Sequence, residues 1–178
     1  MYKKSKTTSW STANQQLLNS NRQLNFWRTA LDQCETALVD AEYYGSQDVV
    51  AEWPGSSVYH RLESMPLLIA QELGGVIMPA ITTLCAAPMA PPSLVEFLPS
   101  AKRRANSCIE RCDEPIKHTI KRPCRLERAY QHCIKNDSLL VDCLMLVSDA
   151  MHLAKLPRAP YELFYAKEAK FQQLINTA

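Results

Sequence analysis

Leu24, Trp27, Leu31, Cys34, Leu38 and Ala41 recur at steps of three and four residues. That spacing stacks side chains along one face of a helix with 3.6 residues per turn. Asn, Gln and Arg fill the opposite face. Residues 12–44 therefore read as one long amphipathic helix, with Gly45 placed as its stop. Trp27, Leu31 and Leu38 form its apolar stripe and are the candidate partner-docking residues. The same pattern returns near the far end of the chain. Leu140, Leu144, Val147 and Met151 give 139–156 a dense apolar face, and Phe164, Phe171 and Leu174 mark a last helix over 161–176. Strand signals are sparse, so the expected class is all-α.

Between these helices lies the most apolar stretch, 65–98, in which 23 residues between Glu72 and Glu96 carry no charge. This is long enough to span a bilayer. Gly74, Gly75, Pro79, Pro88, Pro91 and Pro92 interrupt it, which favours a buried or membrane-apposed hairpin over a continuous span. The proline-rich 88–99 reads as a linker. It divides the chain into 1–99, a helix plus an apolar docking segment, and 100–178, a set of short antiparallel helices. In the second half, 100–112 and 123–134 are expected helices, Lys135-Asn136-Asp137-Ser138 a turn, and 139–156 the helix after it.

Only four of 178 residues are glycine. The chain therefore has no G-x-G-x-x-G, no Walker loop and no G-x-S-x-G elbow. His60, His118, His132 and His152 are the only histidines, and no C-x-x-C occurs. Adjacent His132 and Cys133 would point about 100° apart on a helix, so they make no dyad. Neither catalysis nor a small-molecule substrate nor a cofactor is expected. Charge is unevenly spread beneath a net +2: 32–100 carries nine acids against Arg61 alone, and 101–128 carries nine cations against four acids. Such blocks pair within a fold or face a charged partner. The basic block lacks the interleaved aromatics of single-strand readers, so nucleic acid is not the expected partner. The opening MYKKSKTTSW is basic, Ser/Thr-rich and acid-free, the composition of a mitochondrial transit segment rather than a secretory signal.

Five of the seven cysteines fall within 36 residues, as Cys108-x3-Cys112-x11-Cys124-x8-Cys133-x9-Cys143. Cys34 and Cys85 stand apart in apolar surroundings and read as core residues. On a helix, Cys124 and Cys133 differ by about half a turn and face opposite ways. Folding the short helices into two hairpins then brings Cys112 level with Cys124, and Cys133 level with Cys143. The expected disulfides are Cys112–Cys124 and Cys133–Cys143, each closing a loop for which chain entropy gives roughly 2–3 kcal/mol. Cys108 is left over. One rival is zinc, with Cys108, Cys112, Cys124 and either His118 or His132 as ligands, although the usual tight C-x2-C knuckle is missing. The other is a core in which all the cysteines stay reduced.

The run AYQHCIKNDSLLVDCLMLVSDAMHLAK, preceded by Pro123-Cys124, resembles the coiled-coil-helix-coiled-coil-helix family of the mitochondrial intermembrane space. The likeness covers about 105–156. It departs from the family's C-x9-C pairs with x8 in the first helix and Met151-His152 where a fourth cysteine would fall. The segment 133–161 also loosely resembles the PDSW-type accessory subunit of complex I. These resemblances imply oxidative folding in the intermembrane space. They also imply a non-catalytic accessory subunit of a large respiratory-chain or ATP synthase complex of the inner membrane, partnered by other protein subunits. Membrane-surface contact through 65–98 is expected with it. The alternatives are a zinc- or RNA-binding helical module, and a mitochondrial assembly factor or small chaperone.

Overall fold

The computed structural model describes residues 6–43, 57–116 and 125–156. They form four helices: α1 (Lys6–Tyr43), α2 (57–86), α3 (Pro92–Asp113) and α4 (Arg125–Ala154). No strand occurs among the described residues. The all-α expectation holds.

Each helix runs against its neighbour, as paired contacts show. Ser20 on α1 meets Glu72 on α2, while Ala30 and Gln33, further along α1, share a groove with Arg61 and Ser64. On α3 and α4, Arg104 pairs with Asp149 and Arg111 with Asp142. Arg28 of α1 reaches Asp137 of α4 at 3.9 Å. The result is an antiparallel four-helix bundle in which α4 packs on all three other helices.

The core follows from the three-and-four spacing. On α1 the buried set is Ala13, Leu17, Ser20, Leu24, Leu31, Cys34 and Leu38. On α4 it is Ala129, Cys133, Asn136, Leu140, Cys143, Val147, Ala150 and Ala154, flanked by the equally buried Leu139 and Leu146. Alternating steps of three and four put these residues on the narrow seam used by bundles with coiled-coil-like packing. Each buried leucine contributes about 1.5–3 kcal/mol relative to exposure, so the four α1 leucines alone anchor that helix.

Helix α2 departs from the rule at one place. Its buried residues Leu62, Ile69, Ile77 and Leu84 fall at intervals of seven, eight and seven. The extra residue sits in a π turn over Leu73–Ile77, where the Met78 N–H bonds Leu73 O five residues back. Pro79 follows directly and lacks the N–H that an α turn would offer to Gly75 O. The wide turn takes up the extra residue, so the apolar face continues on the same side.

A second proline, Pro66, lies buried inside α2. It removes the N–H that Leu62 O would otherwise accept. Asn136 on α4 supplies the replacement: its buried Nδ2 donates to Leu62 O at 2.9 Å. A polar residue in the middle of an apolar seam thus answers a proline 70 residues away in the sequence.

Several sequence expectations need correction. The first helix begins at Lys6 rather than Thr12. The proposed boundary between 99 and 100 falls inside α3, whose Pro92–Asp113 span is continuous. The two halves share one bundle. The turn expected at 135–138 is helix, so 125–154 is a single element of 30 residues rather than two short ones. The four polar residues at 135–138 each meet a neighbour: Lys135 the carbonyls of Cys112 and Glu114, Asn136 through its Nδ2 the Leu62 carbonyl, Asp137 Arg28, and Ser138 Arg111. The break expected within 65–98 at Gly74, Gly75 and Pro79 does not occur, since α2 runs through all three to Ala86. The linker expected at 88–99 shrinks to 87–91, with 92–99 already in α3. The expected helix at 161–176 lies outside the described residues.

Candidate functional site

Two features of the bundle are candidates for function, a thiol cluster between α3 and α4 and an apolar face on α1 and α2. The first grows from the α3 seam, where Leu94, Ala101, Ala105, Cys108 and Cys112 are buried. Small residues there let the backbone of α4 come close. Facing them, Cys143 puts its Sγ 3.7 Å from the Sγ of Cys108. The Cys108 thiol also lies 3.9 Å from Leu139 O, and Cys112 hydrogen-bonds Cys108 from one turn further along α3.

The two helices are lashed together around this cluster. Arg111 forms an ion pair with Asp142, Arg104 pairs with Asp149 at 2.8 Å while lying over the Phe97 ring, and Lys135 Nζ donates to Glu114 O at 2.6 Å past the end of α3. A cation at a helix C-terminus meets carbonyls that have no intrahelical partner. The basic block of α3 is thereby matched by acids on α4. Arg104 and Arg111, two of the cations that an RNA reading would need, are already engaged.

Between these arginines is a cleft of about 630 Å³, with Arg103, Arg104 and Arg111 at its rim and Cys108 and Cys143 in its lining. Both cysteines are nearly inaccessible, at 3% and 1% exposure. For Cys108, the hydrogen bond from Cys112 favours the thiolate. The contact with Cys143 and burial outweigh it and push the thiol up to about 12. Cys112 is also raised, first by its bond to Cys108 and then by burial. Burial alone dominates at Cys133, pushed up to about 12, and it raises Cys34 and Cys85. These are protonated thiols at neutral pH.

The expected disulfide Cys133–Cys143 is not compatible with this helix. Both residues lie on α4, ten residues apart, which is about 15 Å along the axis and beyond the roughly 7 Å that a bridge allows. Cys112 is at the end of α3 in the thiol cluster, and its expected partner Cys124 lies outside the described residues. Of the proposed zinc ligands, Cys124 and His118 also lie outside them. Among the described residues no group of three or more His, Cys, Asp or Glu side chains is arranged to hold a metal ion. The pair that does meet, Cys108 and Cys143, was open to sequence reasoning, since 101, 105, 108, 112 and 136, 140, 143, 147 carry the same three-and-four step as α1.

The second feature is apolar. Leu31 and Leu38 are fully buried, so they belong to the bundle core and are closed to a partner. Trp27 differs: it is half-buried and lines a groove of about 380 Å³ between α1 and α2, with Phe26, Ala30, Met65 and Leu68. Phe26 is 68% exposed and Leu67 61%. By length and composition, His60–Ala86 is apolar enough to cross a membrane, and one third of its most apolar window is buried. The exposed apolar residues that sequence reasoning missed are Phe26, Leu67 and Leu68, which lie just off the periodic stripe. Compared with known families, curated proteins and solved structures, the chain finds no match.

Proposed function

We propose that this chain is a non-catalytic accessory subunit of a large membrane-associated assembly, docking through the outer face of α2 and the adjoining groove on α1. The observation that carries the reading is the outer face of α2, where Leu67 and Leu68 are exposed, one third of the most apolar window is buried, and no charged residue falls between Glu72 and Glu96. Leu67, Leu68 and Phe26 stand in the open on this side. Contiguous exposed apolar surface on a well-packed domain marks a binding surface for protein or membrane. The rest of the bundle is a rigid support. Its seam is filled, and Arg28, Arg104 and Arg111 are paired with acids.

The resemblance of the cysteine-rich half to intermembrane-space proteins makes the mitochondrial inner membrane the place to look, with respiratory-chain and ATP synthase complexes as the assemblies. Native electrophoresis of detergent-solubilised mitochondria, from cells producing the tagged chain, tests this. The expected result is stoichiometric comigration with one such complex, lost in Leu67→Glu/Leu68→Glu while the purified variant keeps its helical circular dichroism. A wild-type chain that is soluble and monomeric in the cell would overturn the proposal.

A further inference from the structure

The bundle holds two thiols from different helices in van der Waals contact, with a cleft leading to them. We infer that Cys108 and Cys143 form a disulfide between α3 and α4 inside the intact bundle, a covalent modification site independent of the docking face.

The geometry requires little movement. The sulfurs are 3.7 Å apart, and closing to a bond of about 2.05 Å needs less than 2 Å of side-chain travel. The two cysteines occupy facing seam positions on antiparallel helices, at the level where Arg111 and Asp142 already hold the backbones together. The other cysteines of the cluster are worse placed. Cys112 is on α3 itself, four residues from Cys108 on the same face. Cys133 is ten residues along α4 from Cys143. The cleft that both cysteines line opens between Arg103, Arg104 and Arg111, so a small oxidant reaches the wall in which the nearly buried pair sits.

The oxidant is a hydroperoxide, and the balance is two thiols plus one hydrogen peroxide to one disulfide and two waters. One sulfur, as thiolate, attacks a peroxide oxygen, breaks the O–O bond and becomes a sulfenic acid, and the departing hydroxide is protonated to water. The second sulfur then attacks the first. The S–S bond forms, the S–O bond breaks, and the sulfenic oxygen leaves as the second water with the remaining thiol proton. Because the thiolate is the nucleophile, and the contact with Cys143 and burial push the Cys108 thiol up to about 12, attack through the Cys108 thiolate is slow at pH 7. Its rate climbs about tenfold per pH unit over 7–9.

Peptide mapping of the full chain tests the inference directly, because trypsin cuts after Arg111 and Lys135 and so separates Cys108 from Cys112 and Cys133 from Cys143. The reduced protein is treated with hydrogen peroxide, remaining thiols are alkylated, and the non-reducing digest is read by mass spectrometry. A dithiothreitol-sensitive link between peptides 105–111 and 136–155 is expected. Cys112→Ser should retain it, and the oxidised protein should keep the reduced protein's helical circular dichroism. Cys108 linked to Cys112, Cys124 or Cys34 instead, or Cys108 and Cys143 remaining thiols while other cysteines oxidise, would overturn it. A link that appears only as helical signal is lost would do the same, since the bond would then belong to an unfolded chain.

Discussion

Asn136 and Pro66 should be energetically coupled, although nothing in their sequence positions suggests it. Pro66 deprives Leu62 O of its helical donor, and Asn136 Nδ2 takes that place at 2.9 Å in a fully buried setting. Replacing Asn136 with Leu leaves the Leu62 carbonyl without a strong donor, at a cost of about 1–3 kcal/mol for a buried acceptor. Burial of the new leucine partly offsets this, so the single variant alone is a poor test. The informative comparison is the same substitution in a Pro66→Ala background, where the residue 66 N–H is restored. The cost of Asn136→Leu should fall by about 1–3 kcal/mol in that background. In thermal melts of a domain this size, roughly 2–4 °C accompanies each kcal/mol. Urea unfolding followed by helical circular dichroism, run on all four proteins, gives the coupling term directly. Equal costs in the two backgrounds would refute the argument that Asn136 is present to serve the proline.

Other expectations follow from the same packing. Leu31→Ala should cost about 2–5 kcal/mol because the side chain is fully buried, whereas Phe26→Ser should shift urea stability by no more than about 0.5 kcal/mol while weakening assembly. Gly75→Ala should raise stability by about 0.5–1 kcal/mol, since a Cβ there meets nothing within 4 Å; a lowered melting temperature would show that the glycine is needed for its backbone freedom. Cys108 and Cys133 are held near 12 against an ordinary 9.0. Unfolding thus releases protons above pH 9, so the stability that goes with keeping them neutral is complete below pH 9 and declines as pH rises towards 12. Melting temperature against pH in reducing buffer should fall across that window, less steeply in Cys133→Ser, and a flat profile would count against the burial argument.

The helices themselves were readable from the chain because apolar spacing is a local signal. The α1 stripe lies where its spacing places it. Its destination is not a local property, because Leu31 and Leu38 look the same whether they face a partner or three other helices of the same chain. The run Lys135-Asn136-Asp137-Ser138 read as a turn for a physical reason: four consecutive polar residues carry no apolar period, and their true partners, Glu114, Leu62, Arg28 and Arg111, lie 21 to 109 residues away. A turn there would put Cys133 and Cys143 on opposite arms of a hairpin. The three-and-four step carried through an unbroken α4 instead sets Cys143 against Cys108. Pro66 and Pro79 looked like breaks in the apolar stretch. One is compensated by a distant side chain and the other follows a wide turn.

That wide turn gives α2 a buffer against changes in chain length. Removing or adding a residue elsewhere in a helix rotates everything beyond it by about 100°. In α2 this would swing Ile77, Ile81 and Leu84 away from the seam. At Gly74-Gly75 the register already holds one residue in surplus, both glycines are exposed, and the nearest atom to an added Cβ is the Ile109 Cδ1 at 3.9 Å. Deleting one glycine would turn the seven-eight-seven spacing into three equal sevens, with both halves of the helix still facing the core.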